Sequence, residues 1–126
     1  MPLTRDAAFA AVARAKGAQK AWAARSLADR IALVQAGVKK LNEMSAVIVE
    51  ELAWQMGRPT RFGGEFGGVN ARTDYMAGIA AQTLAPLMVE DSDAFRRYLA
   101  REPVGVVFIV APWNYPYLTT INTLVP

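Results

Sequence analysis

The sequence contains neither cysteine nor histidine in its 126 residues. These two absences remove the commonest pairs of nucleophile and base, and the usual zinc ligand sets, from the chain. The longest apolar stretch is interrupted by Gly105 and closed by Pro112, so it falls short of the ~20 residues of a membrane span. A lack of cysteine is compatible with a reducing compartment. We therefore predict a cytoplasmic protein with no metal site and no membrane partner.

The charge of the chain is small, and the two signs are mixed along it. The 14 basic and 11 acidic residues leave a net charge of +3, whereas a phosphate-binding surface normally gathers its basic residues on one face. Residues 95–101, FRRYLAR, interleave aromatic residues with arginines, a pattern also typical of binding to single-stranded nucleic acid. We prefer to interpret this segment as an edge strand with solvated arginines, and we predict no nucleic-acid partner.

Apolar residues recur at helical spacing over the first two thirds of the chain. Thr4, Ser26 and Ser45 each stand where a helix N-cap is expected, and Gly57 followed by Pro59 is a typical helix end. The pattern predicts four helices, at residues 5–22, 27–41, 46–56 and 69–84.

A glycine-rich stretch, FGGEFGG, occupies residues 62–68. Its spacing is not G-x-G-x-x-G and no strand is predicted before it, which argues against a phosphate-binding loop. We interpret it as a flexible entry to the fourth helix, and residues 90–94 as a polar link beyond that helix.

Residues 104–111 form an almost continuous apolar run rich in valine. Such a run predicts a strand covered on both faces, as in a parallel sheet. Pro112 should end the strand, and Pro116 fits the first turn of a helix over residues 117–124. Trp113 and Asn114 would then follow the carboxyl end of the strand, where ligands bind in open α/β sheets. One parallel strand cannot bury its own faces, so we expect an amino-terminal piece of a longer fold.

Residues 101–116 read R-E-P-V-G-V-V-x-x-x-x-P-W-N-Y-P, and this run closely resembles the aldehyde dehydrogenase superfamily. The similarity continues upstream through Ala21-Trp22, residues 26–30, the segment E-L-A-x-x-x-G-R-P at residues 51–59, and residues 75–78. It therefore covers nearly the whole chain.

The resemblance implies an α/β fold: the amino-terminal part of a Rossmann-like NAD(P)-binding domain, with helices flanking a partly parallel sheet. Residues 1–94 would be the helical flank of the cofactor-binding domain, and residues 95–102 a strand of an oligomerisation arm. Residues 103–126 would be the first central strand, the Pro-Trp-Asn loop and the following helix of an incomplete cofactor-binding domain. The full-length protein would be a homo-oligomer, either a dimer or a tetramer.

The reaction implied by the resemblance is oxidation of an aldehyde to a carboxylic acid with NAD or NADP. A cysteine thiolate adds to the carbonyl, hydride leaves to the cofactor, and a glutamate-activated water hydrolyses the resulting thioester. Asn114 matches the asparagine that stabilises the oxyanion, and Trp113 matches a position that contacts the dinucleotide. The remaining matches are Val110, Ala111 and Pro112 beside the nicotinamide ribose, and Tyr115, Thr119 and Asn122 along the substrate tunnel.

The chain lacks the cysteine nucleophile, and the resemblance places the glutamate base beyond residue 126 as well. We therefore expect the 126-residue chain alone to be inactive. The alternative interpretation is a stand-alone helical interaction module without catalysis, in which residues 5–84 form a bundle.

Overall fold

Helices make up most of the chain in a computed structural model that describes residues 3–126. The elements in chain order are α1 (Arg5–Ala23), α2 (Leu27–Glu43), α3 (Ser45–Met56), a short 3₁₀ helix (Thr60–Phe62), α4 (Phe66–Leu84), β1 (Leu87–Asp91), β2 (Arg96–Leu99) and α5 (Pro116–Leu124). Their contacts divide the chain into two compact units. One unit holds the residues up to Ser26 with Gln82–Phe108, and the other holds Leu27–Ala81 with Ile109–Pro126.

The first unit contains α1 and a β-hairpin. The prediction that Thr4 caps α1 is confirmed, because its Oγ1 accepts a hydrogen bond of 3.2 Å from the Ala7 N–H. Strands β1 and β2 pair antiparallel, with Leu87 opposite Leu99. The Ser92 N–H donates to the Phe95 carbonyl at 2.9 Å and closes the turn. Strand β2 lies inside the predicted strand at 95–102, but β1 extends to Asp91, into the segment predicted to be only a polar link.

The predicted parallel strand at 104–111 is wrong for this structure. Residues 100–115 contain no helix and no strand, and Val104, Phe108 and Val110 are exposed. The only sheet among the described residues is the antiparallel pair β1–β2, so the partly parallel sheet is not seen. A buried parallel strand needs a hydrogen-bonded neighbour and covering helices, and none of the described strands pairs with this segment.

The second unit is built around a small buried cluster from α3, α4 and α5. Its buried members are Ile48, Leu52, Val69, Thr73 and Ile121, of which Val69 and Thr73 are fully buried. Gly68 allows close packing beside this cluster, because a Cβ there would lie 2.8 Å from Leu118 Cδ1. Helix α2 is joined to α4 by paired amides, with Asn42 Nδ2 donating to Asn70 Oδ1 at 2.7 Å.

Two helix ends in this unit lie where the sequence signals predicted them, and one predicted N-cap does not. Gly57 ends α3 in the left-handed conformation with φ 73°, and Pro116 is in the first turn of α5, so both predictions are confirmed. The prediction that Ser45 caps α3 is wrong. Ser45 is already helical, and Met44 is the N-cap without a side-chain hydrogen bond, because α3 follows α2 almost directly.

Helix α4 begins at Phe66, within the glycine-rich stretch and three residues before its predicted start. The stretch therefore does lead into a helix. Within residues 3–126, no helix has both the length and the apolarity required to cross a membrane.

Val69 is fully buried, and truncating it tests whether this cluster is the core of the second unit. We expect Val69→Ala to lower the free energy of unfolding by about 2 kcal/mol, because the lost methyl groups leave a cavity. Urea unfolding measures the change. Val47→Ala on α3 is the matched control, since Val47 is 59% exposed and should change stability by less than about 0.5 kcal/mol. Equal effects of the two substitutions would contradict this description of the core.

Candidate functional site

The predicted site residues lie along α5 and in the loop before it, all within the second unit. The loop residues Val110, Pro112, Trp113 and Asn114 are exposed, and Ala111 is half-buried. Of the residues predicted to line the substrate tunnel, Tyr115 and Asn122 are exposed and Thr119 is half-buried. The structure thus places these residues on an accessible part of the unit, with α5 as their support.

Asn114 is held through its backbone. Its carbonyl oxygen accepts a hydrogen bond from Arg58 Nη2, whereas its side-chain amide makes no hydrogen bond to the described residues. The main chain is therefore fixed at this position while the amide stays free to bind something else.

Arg58 lies in the segment that follows α3 and contacts both Asn114 and Tyr115. Its Nη1 donates to Glu65 Oε1 at 3.0 Å, and its Cζ lies 4.7 Å from the centre of the Tyr115 ring. One planar guanidinium therefore contacts a carboxylate, a carbonyl and an aromatic face. This combination suits arginine, because its donors form a rigid fork and its plane stacks on aromatic rings.

Glu65 is the most deeply buried charged residue among those described, with only 1% of its side chain exposed. Its Oε2 accepts from the backbone N–H of Leu118 at 2.7 Å, and its own carbonyl accepts from the Val69 N–H at 2.9 Å. The N–H groups in the first turn of a helix have no partner within the helix, and that end attracts negative charge. The Glu65 carboxylate therefore ties the start of α4 to the start of α5.

The polar side chains of α5 are partly satisfied within the unit. Thr119 Oγ1 donates to the Tyr115 carbonyl at 2.6 Å, and Asn122 Oδ1 accepts from Arg72 Nη1 at 3.2 Å. The Thr119 oxygen can still accept a hydrogen bond, and the Asn122 amide can still donate. These two positions share one helical face with Tyr115 by their spacing.

Tyr117 packs beside this arrangement, with its ring centroid 6.1 Å from that of Phe66. Burial raises the pKa of the Tyr117 hydroxyl above its ordinary value of 10.0, and the negative charges of Glu51 and Glu65 add to the shift. Tyr117 therefore remains a neutral hydroxyl throughout the physiological range.

Arg58 and Glu65 were not singled out from the sequence. Arg58 entered only as part of the segment G-R-P, and Glu65 only as one letter of the glycine-rich stretch. The one available signal was a lone carboxylate between glycines and phenylalanines, since charged residues with apolar neighbours are rarely buried without a partner.

Comparison with known proteins matches the whole of this site to one family. A sequence model described as the aldehyde dehydrogenase family matches residues 2–126. The chain is 30% identical to aminoaldehyde dehydrogenase 1, peroxisomal, of Pisum sativum over 98% of its length, which is 25% of that protein. It is 32% identical to benzaldehyde dehydrogenase [NAD(+)] of Pseudomonas putida over 93% of its length, or 24% of that protein.

A Mycolicibacterium smegmatis relative, named for succinate semialdehyde and NADP(+), is 28% identical over 98% of the chain and 24% of its own length. The chain spans about a quarter of the length of the curated relatives it matches.

Removing one partner of the buried ion pair should cost far more stability than removing one partner of an exposed pair of similar geometry. We expect Glu65→Ala to cost about 3 kcal/mol, because it leaves the Arg58 charge and the Leu118 N–H without their partner. Glu43→Ala is the control: Glu43 binds Lys40 at 2.8 Å but is 51% exposed, so its loss should cost less than about 1 kcal/mol. Urea unfolding of both variants measures the difference, and equal costs would count against the buried carboxylate as a structural anchor.

The raised pKa of Tyr117 gives a prediction at alkaline pH. Subtracting the phenolate absorbance of Tyr117→Phe from that of the unmodified protein isolates the Tyr117 titration, which should have its midpoint above 10.0. Because the folded pKa is raised, the contribution of Tyr117 to stability is complete below the unfolded value and is lost as the pH rises through the folded value. Glu51→Gln should lower the midpoint and Glu50→Gln should not, since Glu51 contributes to the shift together with burial and Glu65, whereas Glu50 does not. A midpoint at or below 10.0 would refute this assignment.

Proposed function

The chain belongs to the aldehyde dehydrogenase family, and on that premise we propose that it forms part of an NAD(P)-dependent enzyme that oxidises an aldehyde to a carboxylic acid. In this proposal the chain supplies the oxyanion-stabilising asparagine and parts of the cofactor and substrate walls. The observation that carries it is the state of Asn114, whose backbone is fixed by Arg58 while its amide is exposed.

Asn114 is assigned to the carbonyl oxygen of the aldehyde. Negative charge develops on that oxygen when a nucleophile adds to the carbonyl carbon, and the Asn114 Nδ2–H group would donate a hydrogen bond to it. A donor that is already in place stabilises such charge without reorganising, and losing one donor typically costs about 3 kcal/mol in the transition state. An amide already bound within the fold could not do this, which is why its lack of a partner among the described residues matters.

The residues assigned to the cofactor fit a dinucleotide in their accessibility and chemistry. Trp113 is 74% exposed and Val110 is 78% exposed, and the indole N–H of Trp113 makes no hydrogen bond to the described residues. That N–H would donate to the pyrophosphate, while the main chain of Val110, Ala111 and Pro112 would line the nicotinamide ribose. NAD or NADP accepts a hydride when bound there, and relatives carry both cofactors in their names.

The substrate wall is assigned to Tyr115, Thr119 and Asn122. The acceptor oxygen of Thr119 and the donor amide of Asn122 remain open after their internal hydrogen bonds are made. These groups favour an aldehyde with a polar substituent over a purely alkyl one. The pea relative is named for aminoaldehydes, which agrees with a polar substrate.

The cysteine nucleophile is assigned to sequence outside residues 1–126, because these residues include no cysteine, and the family resemblance assigns the glutamate base there as well. Residues 1–126 alone are therefore proposed to be inactive. The alternative of a stand-alone helical module is not favoured, since the family match covers residues 2–126. A homo-oligomeric assembly, with β2 in its arm, remains a prediction. The cytoplasmic location also remains a prediction, since the pea relative is named as peroxisomal.

Replacing Asn114 tests the proposed function directly. In the complete protein that contains this chain, Asn114→Ala should lower kcat by about 10²–10³, because the transition state loses one preorganised donor. An aminoaldehyde such as 3-aminopropanal, benzaldehyde and acetaldehyde, each with NAD+ and NADP+, are suitable probes, with formation of the reduced cofactor as the readout. Gln35→Ala removes an exposed amide on α2 and should leave kcat unchanged. A kcat that survives the loss of Asn114 would reject its assignment to the oxyanion.

A further inference from the structure

We propose that Arg58 and Glu65 are positioning residues for Asn114, which they hold in the orientation required by the developing oxyanion. This inference rests on the proposed function of Asn114. It assigns a role to two residues that do not touch the substrate in that proposal.

The first step is the contact between Arg58 and the loop. Arg58 Nη2 donates to the Asn114 carbonyl, and the same guanidinium lies over the Tyr115 ring at 4.7 Å. Two successive residues are thereby held by one rigid group. Because a side chain projects from its own backbone, fixing the main chain at residues 114 and 115 limits where the Asn114 amide can reach.

The second step is the fixing of Arg58 itself. Its Nη1 binds Glu65 Oε1 at 3.0 Å, and the two side chains are 13% and 1% exposed. The fork of a guanidinium is rigid, so binding one nitrogen to a buried carboxylate also directs the other nitrogen. Glu65 therefore determines where Arg58 Nη2 points, although it does not contact Asn114.

The third step concerns the other side of Asn114. Glu65 Oε2 accepts from the Leu118 N–H at 2.7 Å, which fixes the first turn of α5 four residues after Asn114. The loop is thus held at its carbonyl by Arg58 and at the following helix by Glu65. Both contacts depend on the same carboxylate, so loss of Glu65 should loosen both.

This arrangement acts through geometry rather than through the charge of Arg58. The guanidinium is paired with the Glu65 carboxylate at 3.0 Å, so the two side chains together carry no net charge. Misplacing a reacting group by about 1 Å can cost about a hundredfold in rate. A substitution that keeps the positive charge but loses the fork should therefore still reduce the rate.

Arg58→Lys is the substitution that tests this, because a single ammonium keeps the charge but has no rigid fork to reach both Glu65 and the Asn114 carbonyl. In the complete protein, we expect Arg58→Lys to lower kcat between about tenfold and a hundredfold. The KM values for NAD+ and NADP+ should stay within about twofold, because Arg58 contacts Asn114 and Tyr115 and none of the residues assigned to the cofactor. Glu65→Gln should act in the same direction, because its neutral amide holds Arg58 more weakly.

A double-mutant cycle with Asn114→Ala separates positioning from a general structural role. If Arg58 acts through Asn114, then Arg58→Lys should have little further effect on kcat once Asn114 is alanine. Arg61→Lys is the matched control, because Arg61 is exposed in the neighbouring 3₁₀ helix and stacks on Phe62. This substitution should leave kcat unchanged both in the unaltered protein and in the Asn114→Ala variant. Circular dichroism verifies that each variant is folded. If Arg58→Lys does not fold, Glu65→Gln takes its place in the double-mutant cycle with Asn114→Ala.

The outcomes distinguish the two proposals. Suppose that Asn114→Ala reduces kcat and that Arg58→Lys lowers kcat by the same factor whether residue 114 is asparagine or alanine. The positioning role is then overturned, while the function of Asn114 stands. An Arg58→Lys variant with unchanged kcat overturns the positioning role in the same way. If Asn114→Ala itself leaves kcat unchanged, the proposed function fails, and the positioning role fails with it.

Discussion

The structure of the second unit depends on one buried carboxylate. A charge with 1% of its side chain exposed is tolerated only when hydrogen-bond donors replace the water it has lost. Arg58 and the Leu118 N–H are those donors, and they come from segments 7 and 53 residues away in the chain. Burying Glu65 therefore forces the end of α3, the start of α4 and the start of α5 into one fixed arrangement. The apolar cluster around Val69 packs behind it, and Gly68 permits the close approach of α4 and α5.

This constraint explains why the candidate site is rigid at its base and open at its surface. Contacts from Arg58 and Glu65 hold the backbone at Asn114 and the helix that follows, while Trp113 and Asn114 are exposed. Functional side chains commonly stand on loops that a rigid scaffold positions. Here the scaffold uses charge pairing and helix-end donors as well as apolar packing, which a small buried cluster alone would not provide. The family match over residues 2–126 is the basis for interpreting this combination of a supporting scaffold and an exposed loop as part of an enzyme.

Local signals predicted the helices well. The cap at Thr4, the glycine at the end of α3 and Pro116 in α5 each act through neighbouring residues, so the sequence around them was sufficient. The failures are non-local. The run at 104–111 has the composition of a parallel strand, but strand formation requires partners that composition cannot reveal. Glu65 was missed because its importance lies in a contact with Leu118, far along the chain. The position of Asn114 after a predicted strand indicated only a ligand-binding edge, and its oxyanion role was predicted through the family motif alone, since an asparagine in a loop is otherwise an ordinary turn residue.

The most direct measurement of the central constraint is hydrogen exchange at the Leu118 amide. This N–H lies in the first turn of α5, where a helix offers no internal acceptor, so its protection depends on the Glu65 carboxylate. The account predicts that this amide exchanges as slowly as the core amides of the unit, and that the protection disappears when Glu65 is replaced by alanine. Exchange at the rate of an exposed first-turn amide in the unaltered protein would contradict the account.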